Sequence, residues 1–313
     1  MTKAYEGDYE FGMSDHVDRG YRELSNLTPE YVDIGRTFKN NMDRIMKLGW
    51  LPMELCFWSG LLVHSHCFAR QRLGLAVDDY SKDNTAEFHA FAKSAWDQCT
   101  PTTQNPKDPF KPVWDIGGAQ LKMVLKDEIE SSQEKYRTAG IEAILAAMIT
   151  ASYAAFEALA VDLWVAAVDK HSSLASNWTD KNKDKSLTVA ELSGVGFNLS
   201  NSMGTILTRS RKVAFQSFKD VRSAYDQAFH NGMGDVFSDT TAIYQAEKVR
   251  HLIAHRSGLV DEKFQSEMKG CTEYKDVSIG TQIPFNGPLA AKHIDACSRM
   301  GTALFMKVDA WSG

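Results

Sequence analysis

Residues 139–169 read AGIEAILAAMITASYAAFEALAVDLWVAAVD, a run dominated by alanine, leucine and other apolar residues. Alanine and leucine are among the strongest helix formers, and no proline interrupts the run. The apolar residues surround most of the helix axis, which is typical of a helix buried on most sides. The stretch therefore predicts a long central helix. Within it, Glu157 is a candidate buried acid that pairs with a basic residue of a neighbouring helix.

Helical signals also dominate on both sides of this run. Apolar residues recur at helical spacing, and capping residues, prolines and glycines mark the helix ends. The predicted helices are Tyr31–Leu48, which Gly49 ends, Pro52–Arg72, Thr85–Asp97, Gly118–Arg137, a short helix that opens at Ser186, Arg211–Phe229, Ser238–Arg256 with Gly258 as a left-handed C-cap, and Pro288–Asp309. The segment Val277–Phe285 has extended character and predicts a short β-hairpin near 277–285. The sequence thus predicts an all-α fold with one small β appendage.

A proline-rich segment divides the chain. Half of the eight prolines lie between Gln98 and Trp114, and neither a helix nor an interior strand tolerates that density. The segment therefore predicts a linker or a long surface loop. It separates an N-terminal helical region, 1–115, to which no role can be assigned, from a helical domain, 116–313.

Composition and charge exclude several classes of protein. The chain has 313 residues, 43% of them hydrophobic, and a net charge of −5, so its surface is not coated with phosphate-binding charge. Five cysteines without a CxxC pair argue against a disulfide framework or a zinc ribbon and favour reduced thiols in a cytoplasmic protein. The apolar run Leu51–Val63 is shorter than the roughly 20 residues that span a bilayer. It predicts a buried helix, and no membrane association is expected.

The most informative segment is Val249–Phe264, VRHLIAHRSGLVDEKF. It places Arg250, His251, His255 and Arg256 at the end of a predicted helix. Around an ideal helix, Arg250 and His255 lie about 140° apart, whereas His251 and His255 lie about 40° apart and share a face. Arg250 and His255 could therefore converge only through the reach of the arginine, or across a groove formed with another helix or subunit.

This segment resembles the signature of the HEPN superfamily (higher eukaryotes and prokaryotes nucleotide-binding). The likeness covers about residues 139–313 and includes Tyr153–Trp164 and the charged segment Arg211–Tyr225. The family's catalytic arginine and histidine correspond to Arg250 and His255. The polar residue after the arginine, often Asn or Asp in the family, is His251 here.

The resemblance implies both a fold and an activity. HEPN domains are helical bundles that usually dimerise, and many are metal-independent endoribonucleases of toxins, phage-defence systems and RNA processing. In such a homodimer the arginines and histidines of two copies meet at the interface. The expected partners are an RNA substrate, a second copy and an antitoxin or regulatory protein. Some members have lost catalysis, so a non-catalytic dimerisation or binding module is the alternative.

These residue types suit RNA cleavage. RNA carries its own nucleophile, the 2′-OH, so cleavage needs a base, an acid and positive charge at the phosphorus. His255 could act as the general acid/base because imidazole titrates near neutral pH. Arg250 could stabilise the phosphate and the transition state, and His251 could orient or assist. No cofactor is expected.

A second basic group is a weaker candidate for RNA binding. Arg209, Arg211 and Lys212 lie close together on an otherwise acidic protein, and Arg256 follows His255. The nearby Phe215 and Phe218 could stack on bases. The alternative is a solvated basic face beside two core phenylalanines, which is the commoner arrangement.

A metal site is not expected. His64, His66 and Cys67, with Cys56 eleven positions before Cys67, lack a recognisable zinc-ligand spacing. Their apolar context is more typical of a packed helix. His251 and His255 could supply half of a metal site, but no HExxH motif accompanies them.

Overall fold

A computed structural model describes residues 29–100, 113–126, 134–177, 186–230 and 232–312. Within these ranges the fold is all-α, as predicted, and its only β pairing is an isolated antiparallel bridge between Leu259 and Gln282. The helices are α1 (Pro29–Arg72), α2 (Ala86–Cys99), α3 (Gly118–Lys126), α4 (Glu134–Lys170), α5 (Val189–Ser193), α6 (Met203–Arg209), α7 (Phe218–Ala228), α8 (Thr241–Arg256), α9 (Glu262–Met268) and α10 (Gly287–Ser312). A π-helical turn, Val113–Gly117, precedes α3, and a 3-10 turn, Ser172–Asn177, follows α4.

The chain forms two compact units. Among the described residues, the larger unit comprises 29–46 and 144–312, and the smaller unit comprises 47–143. The divisions therefore fall inside α1 and α4, whereas the sequence suggested a boundary near residue 115. The proline-rich segment itself lies mostly at 101–112, outside the described residues.

Helix α4 supplies much of the core of the larger unit, as its composition predicted. Its Trp164 donates the indole N–H to the carbonyl of Ala224 at 3.1 Å, and Tyr225 donates its hydroxyl to the carbonyl of Ala160 at 2.8 Å. Both bonds join α4 to α7. The following α4 side chains are buried: Leu145, Met148, Ile149, Tyr153, Phe156, Leu159, Leu163, Trp164 and Val168.

The same helix has the length and composition of a membrane span. The segment Ala139–Lys170 reaches a mean hydropathy of 1.8 over its most apolar window, and half of that window is buried inside the protein. A central core helix meets the same criterion because its neighbours, and not lipid, cover its apolar surface. The predicted lack of membrane association stays a prediction.

Helix α1 corrects the prediction of two helices separated at Gly49. One helix runs through both Gly49 and Pro52 to Arg72. An internal proline removes a helical hydrogen bond and strains the preceding turn. Buried side chains nevertheless continue at helical spacing on both sides of it, from Met42 to Phe57, and their packing outweighs the local signals.

The first part of α1 packs on α10 within the larger unit. Tyr31 meets Phe305 edge to face, with ring centroids 6.4 Å apart. A β-carbon at Gly301 would lie 2.5 Å from the ring of Phe38, so only glycine allows this approach. Lys170, at the end of α4, lies 3.3 Å from Glu30.

Leu51–Val63 is buried on one face only, contrary to the prediction of a buried helix. Phe57 and Leu61 are buried in the smaller unit. Leu55 and Val63 are 57% and 62% exposed, respectively.

The predicted hairpin within 277–285 is wrong. This segment instead pairs with the turn after α8: the N–H of Val260 donates to Thr281, the N–H of Gly280 donates to Val260, and the N–H of Ile283 donates to Gly258. Sequence periodicity indicated the extended conformation but not its partner. The predicted left-handed turn is present, since Gly258 has a φ of +83°. This turn fixes the end of α8, where the candidate site lies.

Candidate functional site

A groove of about 400 Å³ lies beside the C-terminal half of α8. Residues from the start of α7 and from α9 form its other walls. Capping bonds hold both of these helix starts, because Ser217 accepts from the N–H of Asp220 and Asp261 accepts from the N–H of Phe264. The groove is therefore built on helix ends with fixed geometry.

His251 and His255 lie together on the wall of this groove. Their ring centroids are 4.4 Å apart, the ring planes are inclined by 51°, and both residues are exposed. The predicted shared face is thus present. Partial burial, together with the nearby charges of His255 and Lys263, lowers the pKa of His251. The shift favours the neutral form of the His251 imidazole, which has a lone pair on one ring nitrogen.

Charged side chains of both signs surround the two histidines. The groove is lined by four carboxylates, Asp220, Glu247, Asp261 and Glu267, and by three cations, Lys248, Arg256 and Lys263. Two of the cations have acidic neighbours. Lys248 lies 3.5 Å from Glu247 and 3.3 Å from Glu267, and Arg256 lies 4.0 Å from Asp261.

Arg250 faces α4 and does not line the groove. Its guanidinium donates to a carboxylate oxygen of Glu157 at 2.8 Å and lies 5.6 Å from the ring centroid of Tyr153. The exposed fractions of the two paired side chains are 29% for Arg250 and 19% for Glu157. The sequence predicted a basic partner for Glu157 on a neighbouring helix, and the structure identifies that partner.

Burial dominates the electrostatics of this pair. It raises the pKa of Glu157, and the charge of Arg250 opposes the rise. Burial also raises the pKa of Tyr153, next to the carboxylates of Glu247 and Glu157. Arg250 therefore supplies the compensating charge for a partly dehydrated carboxylate. Within one chain, Arg250 and His255 lie on different sides of α8, as their spacing indicated.

We expect Arg250→Met to lower the free energy of unfolding by about 2 kcal/mol, because it leaves the partly buried Glu157 carboxylate without its counter-charge. Urea denaturation followed by circular dichroism measures the change, and the exposed Glu262→Gln provides the control. The double variant Glu157→Gln with Arg250→Met should lose less stability than the two single variants combined. Strict additivity would show that the pair is not coupled.

Three of the four weaker RNA-binding candidates do not line the groove. Arg209 ends α6, and Arg211 occupies a left-handed turn with a φ of 55°. Lys212 donates to the carbonyl of Ser186 at 2.7 Å and lies 3.8 Å from Glu191. Of the four candidates, Arg256 alone lines the groove.

The helix predicted from Arg211 starts only at Phe218, because Arg211 has a non-helical conformation and Ser217 caps the helix. Phe218 is buried, and its ring centroid lies 6.2 Å from that of Phe156. The ring centroids of Phe215 and Trp164 are 5.6 Å apart. Core packing, the alternative to base stacking, accounts for Phe218, whereas Phe215 is only partly buried.

Of the two candidate histidines of α1, His66 packs on a neighbouring ring and His64 is exposed. The ring of His66 meets Phe88 edge to face at 5.1 Å, as expected for a packed helix. In the described ranges, no group of three or more His, Cys, Asp or Glu side chains is arranged to hold a metal ion. Cys56, Cys67 and Cys99 are free thiols.

Sequence reasoning missed a buried histidine on α10. His293 is fully buried, and its Nε2 lies 2.6 Å from the hydroxyl of Tyr274. Its Nδ1 has no hydrogen-bond partner among the described residues. Burial lowers the pKa of His293 to about 4. A signal existed, since His293 shares the apolar face of α10 with Leu289 and Met300.

Comparison with known proteins gives no match: no family model, no curated protein and no solved structure matches the chain significantly. Membership of the HEPN superfamily accordingly stays a prediction that rests on the motif residues.

Proposed function

We propose that the protein is a metal-independent endoribonuclease of HEPN type, acting as a cytoplasmic homodimer in toxin activity or phage defence. The observation that carries the proposal is the pair of adjacent histidines on an open groove. His255 is one of them, and it is the residue that the resemblance assigns to acid–base chemistry. The groove also supplies Lys248, Arg256 and Lys263 as donors to phosphate oxygens.

The proposed reaction uses the 2′-OH of the substrate. The 2′-oxygen attacks the phosphorus, its proton passes to an imidazole, and the bond from phosphorus to the 5′-oxygen breaks. The leaving oxygen takes a proton from an imidazolium, and the product is a 2′,3′-cyclic phosphate. His255 acts as the general acid/base, and His251 orients or assists it.

Arg250 has a distinct place in this proposal. In one chain, the ion pair with Glu157 holds it outside the groove. The resemblance implies that the arginines and histidines of two copies meet at a dimer interface. The homodimer is therefore part of the proposal, and Arg250 is the proposed phosphate and transition-state stabiliser within it.

The second candidate function is a non-catalytic dimerisation or binding module of the same fold. The internal ion pair of Arg250 with Glu157 favours it, because a purely structural arginine would be held in this way. The exposed position of His255 favours the nuclease instead. An antitoxin or regulatory protein is a proposed partner of either form.

Cleavage of end-labelled RNA by the purified full chain in excess EDTA tests the proposal. Single-stranded and structured RNAs are both used, and matched strands that carry one 2′-deoxynucleotide serve as controls. We expect cleavage products with a 2′,3′-cyclic phosphate end, and no cleavage after the 2′-deoxynucleotide of the control strands. Failure to cleave either RNA, by a folded dimer, would favour the binding module.

A further inference from the structure

The two groove histidines also have the geometry of a metal chelate. His251 and His255 lie one helical turn apart, their ring centroids are separated by 4.4 Å, and both rings are open to solvent. Zn²⁺ binds imidazole nitrogen at about 2.0–2.1 Å. A single ion between the two rings can therefore contact one nitrogen of each after small side-chain rotations.

The lining of the groove as a whole is slightly acidic. The four carboxylates of the groove outnumber the three lysine and arginine side chains, and two of these cations already have acidic neighbours.

We propose that His251 and His255 form a two-point chelate for a divalent first-row transition ion that prefers nitrogen ligands, such as Cu²⁺, Ni²⁺ or Zn²⁺. In the described part of the chain no third His, Cys, Asp or Glu completes the set, so water fills the remaining positions. Mg²⁺ and Ca²⁺ prefer oxygen ligands and do not compete. The site is thus a reversible one, on the surface of the groove.

Occupancy of this chelate has a consequence for the proposed nuclease, on whose site the inference rests. A bound ion takes the lone pairs that the two imidazoles need for proton transfer. It would therefore inhibit a reaction that itself requires no metal. Metal binding, however, depends only on the two side chains and is measurable whether or not the protein cleaves RNA.

Titration of the tag-free full chain with Ni²⁺, followed by calorimetry near pH 7.5, tests the proposal. We expect one strong site per chain in the parent. Removal of one ligand, in His251→Ala or His255→Ala, should weaken binding by at least about tenfold, because the second imidazole binds intramolecularly. The exposed His89→Ala should bind as the parent does.

A spacing variant separates chelation from the mere number of histidines. His251→Ala combined with Ala254→His keeps two histidines on the exposed end of α8, but places them at adjacent positions that do not face each other. This variant should bind as weakly as His251→Ala alone. Unchanged affinity in it, or in both single variants, would overturn the chelate. If the parent protein binds Ni²⁺ but does not cleave RNA, the proposed nuclease activity is contradicted and the chelate is not.

Discussion

His255→Ala is expected to lower the rate of RNA cleavage in EDTA by about 10²–10⁴-fold, the usual contribution of a general acid or base. The side chain is exposed on a groove wall, and its ring centroid lies 4.4 Å from that of His251. Its removal should therefore leave the melting temperature within about a degree or two of the parent value. Initial rates on one labelled RNA, measured at equal dimer concentration, give the comparison.

The matched control is the exposed His89→Ala, which lies outside the groove and should cleave at the parent rate. His251→Ala should retain more activity than His255→Ala if it only orients or assists its neighbour. Parent-like cleavage by His255→Ala would show that this residue does not transfer a proton. Equal losses in both variants would instead indicate that the histidines act as one unit.

Acidification should destabilise the protein through His293. Its pKa is about 4 in the folded protein because burial disfavours the imidazolium, whereas an unfolded histidine titrates near 6.5. Between these values the unfolded chain binds the extra proton, so stability falls as the pH is lowered. The contribution of neutral, buried His293 to the free energy of unfolding is fully present above about pH 6.5. It falls by about 2 kcal/mol between pH 7 and pH 5, and by about 3 kcal/mol once the pH is below 4.

Urea denaturation at pH 7 and pH 5 measures this loss in the parent and in His293→Gln. Glutamine can still bond to Tyr274 but does not titrate, so the variant should lose about 2 kcal/mol less than the parent over this interval. Carboxylates titrate alike in both proteins and cancel in the comparison. The exposed His89→Gln should retain the full loss. The same pH dependence in parent and His293→Gln would exclude His293 as its origin.

Local chemistry was enough to predict most of the helices. The apolar run of α4 and the glycine turn after α8 appear where the residues indicated, and the short helix predicted to open at Ser186 is α5, which begins at Val189. The predictions failed where contacts with residues distant in the sequence determine the local structure. Gly49 and Pro52 were interpreted as a break because their effect is local, whereas the packing that keeps α1 continuous lies far along the chain.

The candidate site shows the same limit. Helical spacing placed His251 and His255 on one face and Arg250 on another, and the structure agrees. Spacing could not show that Glu157, 93 positions away, would bind Arg250. Nor could it show that the groove would contain four carboxylates. Three of them come from three different helices and the fourth, Asp261, from the loop before α9, so only folding brings them together.

Because α1 is continuous, the two units share one helix, and this limits where the chain can be divided. The helix has 44 residues. Its residues up to Met46 belong to the larger unit, and the rest belong to the smaller unit. A cut at the proline-rich segment would therefore remove Tyr31, Phe38 and Met42 from the core that they complete. The two units are not interchangeable modules, and the N-terminal region cannot be lost or replaced without rebuilding the part that carries the groove.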